Sequence, residues 1–233
     1  MRWVKRALLG TAGVIFVATV SASMWFWFAP VGINNYINKV TFKLAIDSPE
    51  LLTYLGAIDN TLLDFHSGKL ADYTKEEEER GIAELRAARA GLNAYGPEGL
   101  TGQELLTWKI GAWFLDDLLR QAELSYSGYR VNQISGVTVN LPQFLTDTHV
   151  IKNKKSVRRY LSRLAEFGRV LRETRERVID DRANGVIPPD FVIEKALVGM
   201  TKFIADGAAE NPLVTTLEPK LEALEDVDDV TAS

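Results

Sequence analysis

Tyr129-Arg-Val-Asn-Gln-Ile-Ser-Gly-Val-Thr-Val-Asn-Leu-Pro-Gln-Phe-Leu-Thr-Asp-Thr-His149 interrupts a sequence that otherwise reads as one amphipathic helix after another. Val131, Ile134, Val137, Val139 and Leu141 are β-favouring or apolar, Gly136 and Pro142 break helices, and Asn132, Gln133 and Asn140 set amides among them. The pattern predicts an extended, β-like insert near 129–147 lying across a helical body, its backbone hydrogen bonds met by a hairpin or by neighbouring side chains. Such an insert is either a connector whose apolar residues plug the core or a binding site. In the second case Asn132, Gln133 and Asn140 are the residues placed to hydrogen-bond an extended peptide.

Outward from that stretch the sequence is helical. Asp47-Ser-Pro-Glu50 supplies a cap, a first-turn proline and an acid at the helix's positive end, so a helix is expected from there to Gly68, with Leu51 to Phe65 as its apolar face. His66 falls at its end and reads as a capping or surface histidine. Capping boxes at Thr74-Lys-Glu-Glu77 and Thr101-Gly-Gln-Glu104 open two more helices, the first ended by Tyr95-Gly-Pro-Glu-Gly99. The acidic run Glu76 to Glu79 reads as a solvated helix start. The second of these helices, apolar around most of its circumference from Leu105 to Leu119, is expected to be central, with Asp116 and Asp117 giving one salt bridge and one solvated charge. Ser156 to Asn184 predicts a long helix with Val157, Tyr160, Leu161, Leu164, Phe167, Leu171 and Val178 inward and a basic face that is solvated or internally paired. Gly185-Val-Ile-Pro-Pro189 leads into a last helix bearing Phe191 to Ile204.

At the other end of the chain, Arg2, Lys5 and Arg6 precede an uncharged apolar run from Ala7 to Ala29, 23 residues long. That length crosses the roughly 30 Å hydrocarbon core as a helix. Basic residues before the span place the N-terminus in the cytoplasm and the bulk of the chain outside, as a single-pass protein of the inner membrane. A signal peptide cleaved near Ser21-Ala22-Ser23 is the competing reading, against which the apolar run continues through Met24 to Ala29. The expected organisation is an anchor at 1–30, a juxtamembrane connector at 31–46, a helical domain at 47–213 and an acidic tail at 214–233. The fold class is therefore all-α, mainly a helical bundle, with one extended insert and an N-terminal transmembrane helix.

Composition narrows the function. The chain has no cysteine, which excludes disulfides, thiolate metal sites and cysteine nucleophiles. With only two histidines, His66 and His149, a zinc site would need both together with carboxylates. No Gly-x-Ser-x-Gly elbow is present. Removing the three N-terminal bases from 27 Lys and Arg leaves 24 against 31 Asp and Glu, a net −7 that argues against a nucleic-acid partner.

The segments Asp47-Ser-Pro-Glu-Leu-Leu-Thr-Tyr-Leu-Gly56, Arg130-Val-Asn-Gln-Ile-Ser-Gly136, Leu141-Pro-Gln-Phe-Leu145, Tyr160-Leu-Ser-Arg-Leu164, Gly185-Val-Ile-Pro-Pro-Asp-Phe-Val192 and Asn211-Pro-Leu213 occur in an order and spacing that resembles the bacterial domain-of-unknown-function family 885. The resemblance implies a largely helical, exported or membrane-attached protein, similar to zinc-dependent peptidases in which a His-Glu-x-x-His helix supplies two ligands and a base. Here His66 is followed by Ser-Gly-Lys and His149 by Val-Ile-Lys, so no catalytic or metal residue carries over. The expectation is a membrane-anchored N-terminal portion of a metallopeptidase-like protein without a catalytic site or cofactor of its own, zinc belonging only to a full-length member. The alternative is a non-catalytic scaffold or interaction module of the cell envelope. Either would contact the bilayer through residues 7–29 and hold a peptide or protein partner.

Overall fold

The computed structural model describes residues 32–124, 128–205 and 207–224. The expected anchor and the acidic residues from 225 onward lie outside them. The described chain forms α1 (Ile33–Ile46), α2 (Pro49–Leu55), α3 (Lys75–Tyr95), α4 (Gly102–Glu123), α5 (Val137–Gln143), a π-helical turn (Phe144–Thr148), α6 (Lys154–Ala183), α7 (Asp190–Ala205) and three short helices, α8 (Gly207–Glu210), α9 (Pro212–Thr215) and α10 (Glu218–Glu222). No strand occurs among the described residues, and none of their helices is long and apolar enough to cross a membrane. The described residues divide into two compact units, 32–44 with 84–119 and 45–83 with those from 120 to 224.

In the first unit, Ile33, Tyr36, Leu92, Ala112 and Leu115 form the core. Two glycines allow the close approach: a Cβ on Gly91 would strike the Tyr36 ring, and one on Gly111 would strike Ile37. Tyr36 uses the space to donate its hydroxyl to the Ala88 carbonyl at 2.6 Å, and the Trp108 indole donates to Leu92 O at 3.2 Å. Asp116 is paired with Arg89 at 2.6 Å. α4, expected to be central, leaves much of its apolar circumference exposed: Ile110 is 56% exposed and Trp113 64%. Its buried line is narrow, Ala112 and Leu115.

In the second unit, the helix expected from Pro49 to Gly68 stops after two turns. Gly56 adopts φ 62° and closes α2 with its N–H on Leu52 O and Thr53 O, while Ser48 caps the start as its sequence predicted. Leu62, Leu63 and Phe65, expected to face the core, are consequently exposed.

The predicted extended insert contains no strand: residues 129–136 turn irregularly, and the chain is helical from Val137 on. Val137, Leu141, Phe144 and Leu145 are buried at i, i+4, i+7 and i+8, a helix period beneath the alternating valines. Gly136 opens α5 where any side chain would collide with the Asn132 backbone. Pro142 removes one amide donor from the helix, and the chain widens into the π turn, closed by His149 N–H on Phe144 O at 3.0 Å.

Candidate functional site

The spine of the second unit is α6, thirty residues capped by a reciprocal pair between Asn153 and Ser156. Its buried residues are Val157, as expected, and a line of Ser156, Tyr160, Arg163, Val170, Thr174, Arg177 and Asp181. Spacings of three and four keep these on one face, and most are polar. The apolar residues expected to face inward are partly displaced, with Leu161 47% and Leu171 42% exposed.

Polar side chains of α6, Arg163 of this line among them, hold the irregular segment 64–73 against the helix, side chain to backbone. Arg159 pairs with the Asp64 carboxylate and carbonyl, and Ser162 donates to Gly68 O at 2.9 Å. Arg163 donates to Lys69 O at 2.9 Å, and Arg169 to Leu70 O and Ala71 O, each at 3.2 Å. Carboxylates take the amides in between: Glu50 accepts from Ala71 N–H at 2.9 Å and Glu173 from Tyr73 N–H at 3.0 Å. Farther along, Arg177 and Arg130 both reach Glu78, and Arg130 reaches Asp181 at 2.9 Å. Glu78 thus leaves the solvated acidic run that its sequence suggested. The basic surplus of α6 is, at these positions, internally paired.

Both histidines adjoin Arg163, which is fully buried. His149 donates Nε2–H to Ser156 O at 3.1 Å and accepts from Arg163 at Nδ1 at 2.9 Å. Burial, with the Arg163 cation close by, pulls its pKa down to about 4, so the ring is neutral. Burial also lowers Arg163 to about 10, which leaves it a cation at neutral pH. Arg163 further donates to Thr53 Oγ1 at 2.7 Å and, more distantly, to the carbonyls of Pro49 and His66.

His66 is 1% exposed, not the surface residue its position suggested. Asp59 Oδ1 lies 2.7 Å from its Nε2 and Asp64 Oδ1 3.4 Å from its Nδ1, neither aligned as a hydrogen bond. Burial would raise the Asp64 pKa, but hydrogen bonds from Ser67 and Asn60 and the Arg159 cation hold it below the usual carboxylate range.

This donor set does not fit zinc. Both His149 nitrogens are engaged, one of them by a guanidinium that would face the metal. Among the described residues no group of three or more His, Asp or Glu is placed around a common centre.

A second feature is open. Residues of α5, the loop before it, α6 and α7 enclose a cavity of about 590 Å³ with predominantly apolar walls, among them Val137, Leu141, Phe167, Met200 and Phe203. Small residues on α7, Ala196 and Gly199, leave the room. Of the amides proposed from the sequence, Asn132 and Gln133 line this cavity and Asn140 does not. Asn132 is consumed by its own loop, accepting from Ile134 and Ser135 N–H at 2.8 Å and donating to Tyr129 O at 3.0 Å. Asn140 donates to Ser135 O at 2.9 Å. Gln133 differs: its Oε1 is buried and has no hydrogen-bond partner. The α7 residues Lys195 and Gly199 carry no motif in the sequence that marks them as lining a site, and Met200 reads there only as part of the helix's apolar face.

The family model for "Bacterial protein of unknown function (DUF885)" matches residues 49–233. The chain belongs to the DUF885 family. Among solved structures, "the putative lipoprotein from Colwellia psychrerythraea" resembles it with a TM-score of 0.61 at 17% identity. The likeness covers 82% of this chain and 35% of that one, so this DUF885 chain spans about a third of the structure it matches. At that identity the likeness concerns the fold. No curated protein matches in sequence.

Proposed function

We propose that this chain is the helical N-terminal platform of a DUF885 protein of the bacterial cell envelope, anchored by residues 7–29, which holds a polypeptide in the α5–α7 cavity and performs no chemistry itself. The observation that carries this reading is the contrast between the cavity and His149. An open apolar space of about 590 Å³ lies within the range of ligand sites, whereas every nitrogen of His149 is committed to the interior. The coverage of about a third of the matched structure supports placing any peptidase-like chemistry in the remainder of a longer member, and the name of that neighbour supports an envelope location.

The test is an assay of the purified full chain for peptide binding and hydrolysis, with and without zinc. Binding that zinc leaves unchanged, and no hydrolysis, is expected. Hydrolysis that tracks stoichiometric zinc would overturn the platform reading. Anchoring is tested separately: the chain should stay with membranes through an alkaline carbonate wash.

A second reading, an envelope interaction module, is favoured by the loop that carries Leu62 and Leu63. Both are exposed while Asp64 beneath them is buried and pinned by Arg159, so the loop presents apolar groups from a fixed base. On that reading a double change of Leu62→Asp and Leu63→Asp frees a copurifying protein without altering the unfolding temperature.

A further inference from the structure

We propose that the outward face of α4 rests in the surface of the lipid bilayer, with Leu106, Ile110, Trp113 and Phe114 entering the boundary between head groups and acyl chains. The inference rests on the anchoring of residues 7–29 and says which surface of the first unit that anchor brings onto the membrane.

The four side chains recur at i, i+4, i+7 and i+8, so they form one stripe along α4, and each is about half exposed or more. The core of the unit takes the opposite side of the helix, Ala112 and Leu115. Beside the stripe the surface dips into an apolar groove of about 240 Å³, walled by Ile110 and Phe114 of α4 and by Val40 and Leu44 of α1. Monomeric proteins rarely gather such apolar area at the surface without a partner for it. The indole of Trp113 suits the membrane interface, where tryptophan is enriched. Lys109 stands exposed one turn before it, where an ammonium suits lipid phosphates, and half-buried Asp117, one turn after it, ends the stripe.

The path of the chain selects lipid as the occupant. Three residues, 30–32, separate the end of the apolar run at Ala29 from the start of α1 at Ile33, and four extended Cα steps reach no farther than about 14 Å. The start of α1 therefore stays beside the bilayer. Gly32 has φ 81° and Pro30 lacks an amide donor, so α1 does not prolong the anchor as one straight rod and is free to turn along the surface. Tyr36 meets Ala88 and Lys43 meets Glu84, which runs α1 against α3. Trp108 meets Leu92 and Asp116 meets Arg89, which runs α4 against α3 too. α1 and α4 are thus parallel, and the stripe begins at the end that the anchor holds. A second copy or a soluble protein must arrive by diffusion, whereas the membrane is tethered within reach of every copy.

The experiment exploits the absence of cysteine. In the full chain, held in nanodiscs of phosphatidylcholine and phosphatidylglycerol, a nitroxide is attached in turn at Ile110→Cys, at Phe114→Cys and, as a water-facing reference, at Ala90→Cys on the exposed side of α3. Oxygen concentrates in lipid and a nickel chelate in water, and power saturation reads the collisions of each with the label. The labels at 110 and 114 should meet oxygen more than nickel, and the label at 90 nickel more than oxygen.

In a chain that survives the alkaline carbonate wash, nickel dominance at 110 or 114, or oxygen dominance at 90, would overturn the inference and leave the anchor standing. So would shielding of 110 and 114 from both reagents: spin–spin broadening then makes the stripe a contact between two copies, and its absence means that other protein, residues 7–29 included, covers it. A chain stripped by the wash would strike at the anchoring reading and take the inference with it.

Discussion

The Arg163 seam and the α5–α7 cavity share α6 as a wall, and their chemistry is opposite. The seam is polar and filled: Arg163, His149, Thr53 and the backbone of 66–69 satisfy one another in a volume sealed from solvent. The cavity is apolar and open. Arginines that, beside two histidines and aspartates, suggest catalysis therefore serve to hold a segment that has no helix or sheet to satisfy it. The valine-rich stretch that suggests a strand builds the space with room for a ligand.

The comparison breaks first at Arg163. Arg163→Met removes the guanidinium and leaves the Lys69 carbonyl, Thr53 and His149 facing apolar atoms, so about 3–5 kcal/mol of stability should disappear in urea unfolding. Cavity variants such as Gly199→Leu should lose none.

The pH dependence is the next largest effect. His149 in the folded chain titrates near 4, below its ordinary value, so the unfolded chain takes up a proton that the folded chain refuses. Stability is then full above about pH 6.5 and falls by about 1.4 kcal/mol per pH unit down to about pH 4. Asp64, whose pKa is lowered, also loses its contribution as pH falls, but lower, through the carboxylate range. In His149→Gln the slope between pH 6.5 and 4 should flatten, as measured by unfolding midpoints across that range.

Smaller effects sharpen the picture. The buried Tyr160 hydroxyl donates to Leu213 O at 2.8 Å, tying α9 to the spine, and Tyr160→Phe should cost about 1–2 kcal/mol in the same unfolding experiment. Gly199→Leu should gain up to about 1 kcal/mol, because leucine favours the helix and the space beside it is empty. Arg175→Ala, at an exposed pair with Glu176, should change stability by less than about 0.5 kcal/mol.

Much of the helical plan was legible because caps are local. Ser48, Thr74 and Gly185 mark boundaries through hydrogen bonds and backbone angles reaching only a few residues, and the structure keeps all three. What failed depended on distant partners. The helix from Pro49 ends at Gly56 because Asp64 and Arg159, far apart in sequence, anchor the following loop on α6. Residues 137–145 alternate like a strand at Val137, Val139 and Leu141, yet the burial that decides their form follows Val137, Leu141, Phe144 and Leu145. Along α6 a count of apolar residues turns the helix toward Leu161 and Leu171. Arginine, threonine and aspartate read as outward when no backbone segment is known to need them.

A similar blindness covers the site. The sequence singled out Asn132, Gln133 and Asn140 together because amides suit peptides. Only coordinates separate Gln133, with an unused oxygen, from two neighbours occupied by their own loop. Side chains satisfy the irregular backbone within the predicted insert, through Asn132 and Asn140, and that of 64–73 as well.

The most direct measurement is an NMR titration of the two histidine rings in the full chain, with and without added zinc. His149 should remain neutral, in the tautomer protonated at Nε2, until the pH falls to about 4, and zinc should leave its resonances where they are. A midpoint near 6.5, or a zinc-induced shift of both rings at one equivalent, would contradict the claim that these histidines are sealed into the seam.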